Sequence, residues 1–359
     1  MMQKLYLMLC FLMSTITFIP LVNNQHWFFR IWDFGRIQTF IITFILILIG
    51  FTFCNYTSQF LLIFAFLFIS FLYNLNVLLP YISFSKRKKT VTNHSQSISI
   101  LSANVYQFNT NYQPLLKQIK LIKPDILLTI ESNKDWGKAL SAIEKQYPNT
   151  CKVPLENTYG MHFYSKLPIK KSTVNYFIAN DIPSLEIELE TKDGDLFTIF
   201  GVHPPPPSPT EENTSEERDG ELLKIAQKVN KTTNPTIVIG DFNNVAWAKS
   251  SKLFAKTSKL IDARVGRGFI STYHAKYWFL RFPIDLVYHS QSINISTLKA
   301  VANIDSDHLP LYCQFQLNNT QNKQQKPENL TSKEREEVKD LIEKGIEKDG
   351  NRDKIATED

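Results

Sequence analysis

Cysteine is scarce, with only Cys10, Cys54, Cys151 and Cys313 in a chain of 359 residues. No two form a CxxC pair and two lie in apolar runs. Neither a zinc site nor a disulfide framework is expected, and all four read as small buried hydrophobes. Glycine-rich phosphate loops are also missing. There is no GxGxxG and no GxxxxGK[ST], which removes the nucleotide folds that depend on them. No internal repeat is apparent. Acidic residues are nearly absent from residues 1–96, where one Asp stands against seven Lys or Arg. The segment 318–359 holds nine basic and eleven acidic residues, leaving 24 and 22 for 97–317. The net charge of +6 therefore belongs to the N-terminal third. A broad basic face of the kind that grips nucleic acid regardless of sequence is not expected on the middle segment, although a neutral total leaves room for a local patch.

What the first 90 residues do contain is apolar length. Leu5 to Val22, Ile37 to Cys54, and a run from Gln59 to about Phe84 are each long enough to cross a hydrocarbon core as a helix. A cleaved signal peptide is the alternative for the first run. Its length, the lack of a small-x-small site and the two later runs argue against it. Arg30 and Arg36 precede the second run, and Lys86-Arg-Lys-Lys89 follows the third. With three spans these segments share one side, and the opposite side sees only Lys4, so the positive-inside rule puts the large C-terminal part in the cytoplasm. A two-span hairpin would require that argument to be redone. Residues 1–90 are thus expected to be a membrane anchor of about three helices in an integral protein, in a bacterial inner membrane by the resemblance described below.

From Ser97 the texture changes to short β-rich runs: 97–104, 125–130, 161–164, 185–189, 196–202, 236–239, 284–288 and 311–317. Helical patterns intervene at 112–122, 134–146, 211–229 and 250–260. This predicts one layered α/β domain over 97–317. Hairpin-length links such as Lys192-Asp-Gly-Asp195 favour mixed or antiparallel sheets. Residues 318–359 are expected to be a charged, flexible tail, with a capped helix as the alternative for TSKEREEVKDLIEKGIEKD.

Five segments place polar or acidic residues where an apolar strand should stop. They end at Asn104, Glu131, His203, Asp241-Phe-Asn243 and Asp305-Ser-Asp-His308. A sixth buries Asp285 inside Phe282-Pro-Ile-Asp-Leu-Val-Tyr288. Buried carboxylates need donors or cations, so one shared site explains all six more economically than six separate structural reasons. Here the chain resembles the endonuclease/exonuclease/phosphatase superfamily of metal-dependent phosphodiesterases, which includes pancreatic deoxyribonuclease and neutral sphingomyelinase. The matches run in the family's order over roughly 97–317: LSANV at 101–105, the strand ending in Glu131, YGMHFYSKLPI at 159–169, VH at 202–203, GDFN at 240–243, PIDLVYHS at 283–290 and SDHLP at 306–310.

The resemblance implies a four-layer α/β sandwich, two mixed sheets face to face with helices outside, and a site at one rim. It implies that Glu131 with Asn104 holds Mg²⁺ (or Mn²⁺), and that Asp307 is a further ligand or supports one. It makes Asp241 the acid that activates water, with Asn243 beside it on the phosphate. His308 would contact the scissile phosphate, Asp285 would fix and charge it, and His203 would stabilise developing charge or protonate the leaving oxygen. Hydrolysis would then be metal-assisted and in-line. Tyr106 stands where related endonucleases carry an acid, and Ile130 where the family usually has Gln, so one metal is expected more readily than two. Ser215-Glu-Glu-Arg-Asp219, Val245-Ala-Trp247, Gly266-Arg-Gly-Phe269 and the proline run 204–207 resemble a bacterial subgroup with N-terminal spans. Arg218, Arg264, Arg267 and Arg281 are candidates for a substrate phosphate. Nucleic acid and a lipid or small-molecule phosphate both remain open as substrate. A non-catalytic, membrane-tethered binding module is the alternative function, though it predicts loss of site residues that are all present.

Overall fold

The computed structural model describes residues 2–53, 57–82, 97–317 and 327–349. Among the described residues, twelve strands form two mixed sheets. The first contains β1 (Ser97–Asn104), β2 (Ile126–Ile130), β3 (Asn149–Val153), β4 (Met161–Ser165), β11 (Ile293–Ala300) and β12 (Leu311–Leu317), in the order β11-β12-β1-β2-β4-β3. The second contains β5 (Ile169–Asn175), β6 (Ser184–Glu190), β7 (Leu196–Val202), β8 (Thr236–Asp241), β9 (Ile261–Asp262) and β10 (Asp285–His289), in the order β5-β6-β7-β8-β10-β9. The sheets pack face to face through Ile100, Leu128 and Phe163 on one side and Ile187, Ile199 and Ile239 on the other. Each such fully buried side chain contributes about 1.5–3 kcal/mol. Helices α5 (Gln113–Ile122) and α6 (Lys134–Leu140) cover the first sheet, where Leu115, Ile119 and Trp136 meet Leu101 and Leu127. Helices α7 (Glu216–Val229) and α8 (Lys249–Ser258) cover the second, where Leu222, Ile225 and Phe254 meet Phe200 and Val238. The four-layer sandwich expected from the sequence is present. Most inner strands, such as β2, β7 and β8, are buried on both faces and read as near-continuous apolar runs, whereas β6 and β12 alternate buried and half-buried positions.

The two parallel pairs place the site. β1 runs parallel to β2, with Asn104 opposite Ile130, and β7 runs parallel to β8, with Val202 opposite Gly240. Their C-terminal ends reach the same rim. β10 is antiparallel to β8 and starts there, pairing Asp285 with Asp241.

The N-terminal helices are α1 (Met2–Phe18), α2 (Trp27–Phe34), α3 (Arg36–Phe53) and α4 (Ser58–Leu78). Two helical segments, Met2–Leu21 and Ser58–Tyr81, are long and apolar enough to cross a membrane, and a third qualifies if α2 and α3 count as one span bent by 67°. Small and polar residues (Cys10, Ser14, Thr17, Ser70 and Asn74) face inward, and Leu5, Leu48, Leu62 and Ile69 face outward, the pattern of helices packed in an apolar medium. The second loop at 55–58 lies partly, and Cys54 and the basic cluster 86–89 wholly, outside the described residues. Arg30 and Arg36 have structural work to do. Arg30 donates to the carbonyls of Pro20, Val22 and Asn24, while Arg36 pairs with Asp33 at 2.6 Å and donates to Asn74 at 3.0 Å. Their weight in a charge-bias argument for orientation is correspondingly smaller.

This module is docked on the sandwich. Trp27 N donates to Asn213 O (2.9 Å), Ser215 N to Gln25 O (2.8 Å), and Trp247 Nε1 to Asp33 O (2.7 Å). Gly266 N and Gly268 N donate to Pro80 O and Tyr81 O, both at 2.9 Å, and the Tyr81 and Trp247 rings meet at 5.5 Å. The motifs around Ser215, Trp247 and Gly266–Phe269 are therefore the receptor for the N-terminal helices. The anchoring contacts lie around α2, at the first turn of α3 and just past the end of α4, so these ends share the sandwich's side.

The flexible tail expected after residue 318 is corrected over its described part. Ser332–Asp349 forms α9, which buries Val338, Leu341 and Ile342 against Leu223 and Leu253. Gly220 and Gly345 allow the close approach, since a Cβ on Gly345 would stand 2.9 Å from Glu216 O. Thr331 and Glu334 exchange backbone-to-side-chain bonds as a capping box.

Candidate active site

The turn after β8 shows how sequence makes geometry here. Gly240 lies against β7 so closely that a Cβ would sit 2.1 Å from Val202 O. Asp241 Oδ1 accepts from Asn243 N at 2.9 Å, closing an Asx-type turn that puts Asn243 at φ 48°. Asn243 Nδ2 then donates to Pro204 O at 3.0 Å, tying β8 to the proline run. The next residue, Asn244, points away. Its amide donates to Ser250 Oγ at 2.8 Å and pins the start of α8.

Asp241 is buried with its Oδ2 at the centre of a polar cluster. Asn104 Nδ2 is 3.2 Å away, His308 Nε2 3.4 Å and His203 Nε2 3.9 Å. Asn104 Nδ2 also donates to Glu131 Oε1 at 2.8 Å, so one amide joins the two carboxylates. Asn104 Oδ1 accepts from Tyr106 N at 3.1 Å, so in this rotamer Asn104 is a positioning group rather than an oxygen aimed at a cation. His308 Nδ1 meets Asp285 Oδ2 at 2.8 Å, with Tyr273 packed on the ring. Glu131 sits at φ 59°, the strained left-handed region, and Gln107 N approaches its Oε2 at 3.4 Å.

Burial dominates the ionisation of the carboxylates, pushing both Glu131 and Asp241 up to about 7. Burial also pushes His203 down to about 3, helped by the charge on His308. For His308 burial works against the charged form, but Asp285 and Asp241 outweigh it and raise the imidazole to about 10. The two histidines thus differ in state: His308 is a cation held between acids, and His203 is neutral, with Nδ1 lacking a hydrogen-bond partner among the described residues. A neutral His203 suits hydrogen bonding to developing charge better than proton delivery.

A cleft of about 340 Å³ opens over this cluster, lined at its base by Glu131, His203, Asp241, Asn243, Asp307 and His308. Asn104 and Asp285 stand behind them. The rest of the wall was not foreseen from the sequence: Tyr159, Glu211 and Tyr273, and above all Ile31 and Phe34 from α2. Pro206 and Pro207 line the cleft too, so the proline run is a wall of the site. The amphipathic run Trp27–Phe34 was the available signal for α2, hidden between two longer apolar runs.

The four candidate arginines are corrected. Arg218 bonds Asp219 and Asn243 O, both at 2.9 Å, Arg264 bonds Pro283 O, Arg267 bonds Ile295 O, and Arg281 bonds His274 O and Ala275 O. Each is bonded within the fold, and none of the four lines the cleft.

Donor atoms of Asp241, Asp285 and His308 lie within 4.8 Å of one another and form a group that could hold an ion. The short His308–Asp285 bond makes that trio read better as an acid–imidazole–acid relay. At the base of the cleft, the oxygens of Glu131, Asp241 and Asp307 are hard donors of the kind that Mg²⁺ or Mn²⁺ prefers. Half-buried Glu131 and buried Asp241, joined by the Asn104 amide, are a charge arrangement that a cation fits.

Comparison with known proteins bears on the fold and the family. No curated protein matches the sequence. In fold, the sandwich is similar to D. rerio TDP2 complexed with single strand DNA product, at TM-score 0.53 and 18% identity, covering 61% of this chain and 99% of that one. It is also similar to an endonuclease/exonuclease/phosphatase from Bacteroides vulgatus, at TM-score 0.51 and 18% identity, covering 62% and 99%. The model of the Endonuclease/Exonuclease/phosphatase family matches residues 101–308, more than half the chain. The chain therefore belongs to that family and is a hydrolase of phosphate esters.

Proposed function

We propose that the protein is a membrane-anchored phosphodiesterase or phosphomonoesterase that works with a bound divalent cation, Mg²⁺ or Mn²⁺. The observation that carries the reading is the convergence of Asp241 Oδ2 with Asn104, His203 and His308 beside Glu131 at the base of one cleft. Glu131 and Asp307 would hold the cation, with Asn104 orienting Glu131. When bound, it supplies Lewis-acid polarisation of a phosphoryl oxygen.

The chain's own groups do the rest. Asp241, ionised, takes a proton from the attacking water and orients its lone pair toward phosphorus. Asn243 and neutral His203 donate hydrogen bonds to the non-bridging oxygens as negative charge grows there. His308, kept charged by Asp285, hydrogen-bonds the phosphate and gives a proton to the leaving oxygen. The 3.4 Å contact between His308 Nε2 and Asp241 Oδ2 offers the path by which the relay is reset. No side chain is required as a covalent nucleophile. The membrane anchor rests on α1, α3 and α4, and its tight docking calls for work on the whole chain, because removing it would bare Trp247 and Phe282.

The test is hydrolysis of bis-p-nitrophenyl phosphate by the full chain in detergent, with Mg²⁺ or Mn²⁺ and with EDTA. Activity that needs the cation and vanishes in Asp241→Asn is expected. Activity that persists in EDTA or in that variant would overturn the mechanism.

A further inference from the structure

The cleft has a roof supplied by the membrane module, and this bears on what enters it. α2 is joined by short links to α1 and α3. It lies 67° from α3, so with α3 crossing a bilayer α2 lies near the membrane plane, the posture of an interfacial helix. Its Ile31 and Phe34 line the cleft, and Phe34 meets Phe282 edge to face at 6.0 Å. Phe28 and Ile31 stay 43% and 49% exposed on the same helix. A second apolar projection stands beside it. In the segment 277–280, Trp278 is 80% and Phe279 55% exposed, and Gln38 in the first turn of α3 holds Phe279 O at 3.1 Å. That bond fixes the projection at the level where α3 leaves the sandwich. Exposed Trp, Tyr and Phe at that level are the side chains that settle in the interface of a bilayer.

We propose that the cleft opens onto the bilayer surface and that its substrate is a phospholipid, hydrolysed at its headgroup phosphate while its chains stay in the membrane. This rests on the membrane-anchored phosphoesterase reading above. The lining of the cleft suits such an amphiphile: acids and histidines for the phosphate, and Ile31, Phe34, Tyr273 and Phe282 for a glycerol and the first methylenes. A volume of about 340 Å³ suits a headgroup and not a duplex. Among the described residues no Arg or Lys lines the cleft, so the row of phosphate contacts that a nucleic-acid backbone needs is missing there. In the reaction, the water oxygen bonds to phosphorus as the bond from phosphorus to the leaving alcohol oxygen breaks. Asp241 receives the water's proton, and the leaving oxygen is protonated from His308.

The full chain, reconstituted with Mg²⁺ or Mn²⁺, is assayed against three probes. These are bis-p-nitrophenyl phosphate, vesicles of phosphatidylethanolamine, phosphatidylglycerol and sphingomyelin read by mass spectrometry of released headgroups, and a single-stranded DNA oligonucleotide. Headgroup release from the vesicles is expected. The double substitution Trp278→Ser and Phe279→Ser should lower the ratio of vesicle to soluble-ester turnover by about tenfold or more, and Trp278→Phe should preserve it. Cleavage of the soluble ester with intact vesicle lipid, DNA turnover exceeding lipid turnover, or an unchanged ratio in the double variant overturns the proposal. Cleavage of none of the three instead brings down the phosphoesterase reading beneath it.

Discussion

The two walls of the cleft are built on opposite principles. One is a rim of strand ends, where Asn104, Glu131, His203 and Asp241 are held by two parallel pairs that pair neighbours residue by residue. The other is α2, eight residues held by backbone donors and acceptors such as Trp27 N to Asn213 O and Asp33 O to Trp247 Nε1. The first wall concentrates buried charge and positions it within hydrogen-bond distance. The second carries almost no charge toward the cleft and offers apolar surface. A change on the first should strike the chemistry, and one on the second should strike which molecules reach it.

The largest expected effect breaks the first wall. Asp241→Asn keeps the shape but removes the base, and turnover of a soluble ester should fall roughly 10²–10⁴-fold. Thermal stability should hold or rise, because a carboxylate that burial pushes up to about 7 is replaced by a neutral group. A loss under tenfold would move the base elsewhere. Next comes Asp285→Asn, which leaves His308 in place without its charged partner. A loss of roughly 10–100-fold is expected. The pH profile gives the sharper readout. His308 is held charged up to about 10, so activity that needs the imidazolium falls off only in that range. Without Asp285 the basic limb should move to lower pH. The acid limb, set by Asp241, should stay at or below about 7, since a bound cation favours the ionised acid.

Much of this contrast was legible before the fold. The eight strand runs read from the sequence are the eight inner strands. The strands that were missed, β3, β5, β9 and β11, are the four sheet edges. Edge strands such as Ile169–Asn175, with Lys170, Lys171 and Ser172 facing solvent, lack the apolar run that marks an inner strand. The rim residues were readable for the converse reason: a carboxylate ending an apolar run has no local explanation. α2 was not readable as a wall, because only tertiary packing brings Ile31 within reach of Asp241's cleft. The arginines misled for the same reason, since whether a guanidinium serves a ligand or a carbonyl is decided by neighbours far along the chain. Docking also gave a role to Trp247 and Gly266–Gly268, which the sequence marked only through their resemblance to a bacterial subgroup with N-terminal spans.

A smaller effect sharpens the charge balance of the rim. Glu131 has its folded value raised from 4.5 to about 7. Its contribution to stability is complete below 4.5 and is lost as pH climbs through about 7. Cation-free protein should therefore lose thermal stability across that window. Mg²⁺ or Mn²⁺ should restore it by roughly 2–4 °C, more at pH 8 than at pH 5. Glu131→Gln should reduce the pH slope to the share that Asp241 contributes and should weaken the response to cation, and an undiminished cation shift in that variant would place the ion elsewhere.

The smallest effect belongs to the second wall. Trp247→Phe deletes the 2.7 Å bond to Asp33 O at the end of α2 while keeping the ring against Tyr81. The loss is about 1 kcal/mol, felt where the module meets the sandwich. Faster limited proteolysis between α1 and α2, around residues 22–26, is the expected sign. Turnover of a soluble ester should stay within about twofold, because the bond lies outside the rim's own network. A tenfold loss with that substrate would mean that α2 holds the strand ends in place as well as roofing them. The two walls would then be one mechanical unit.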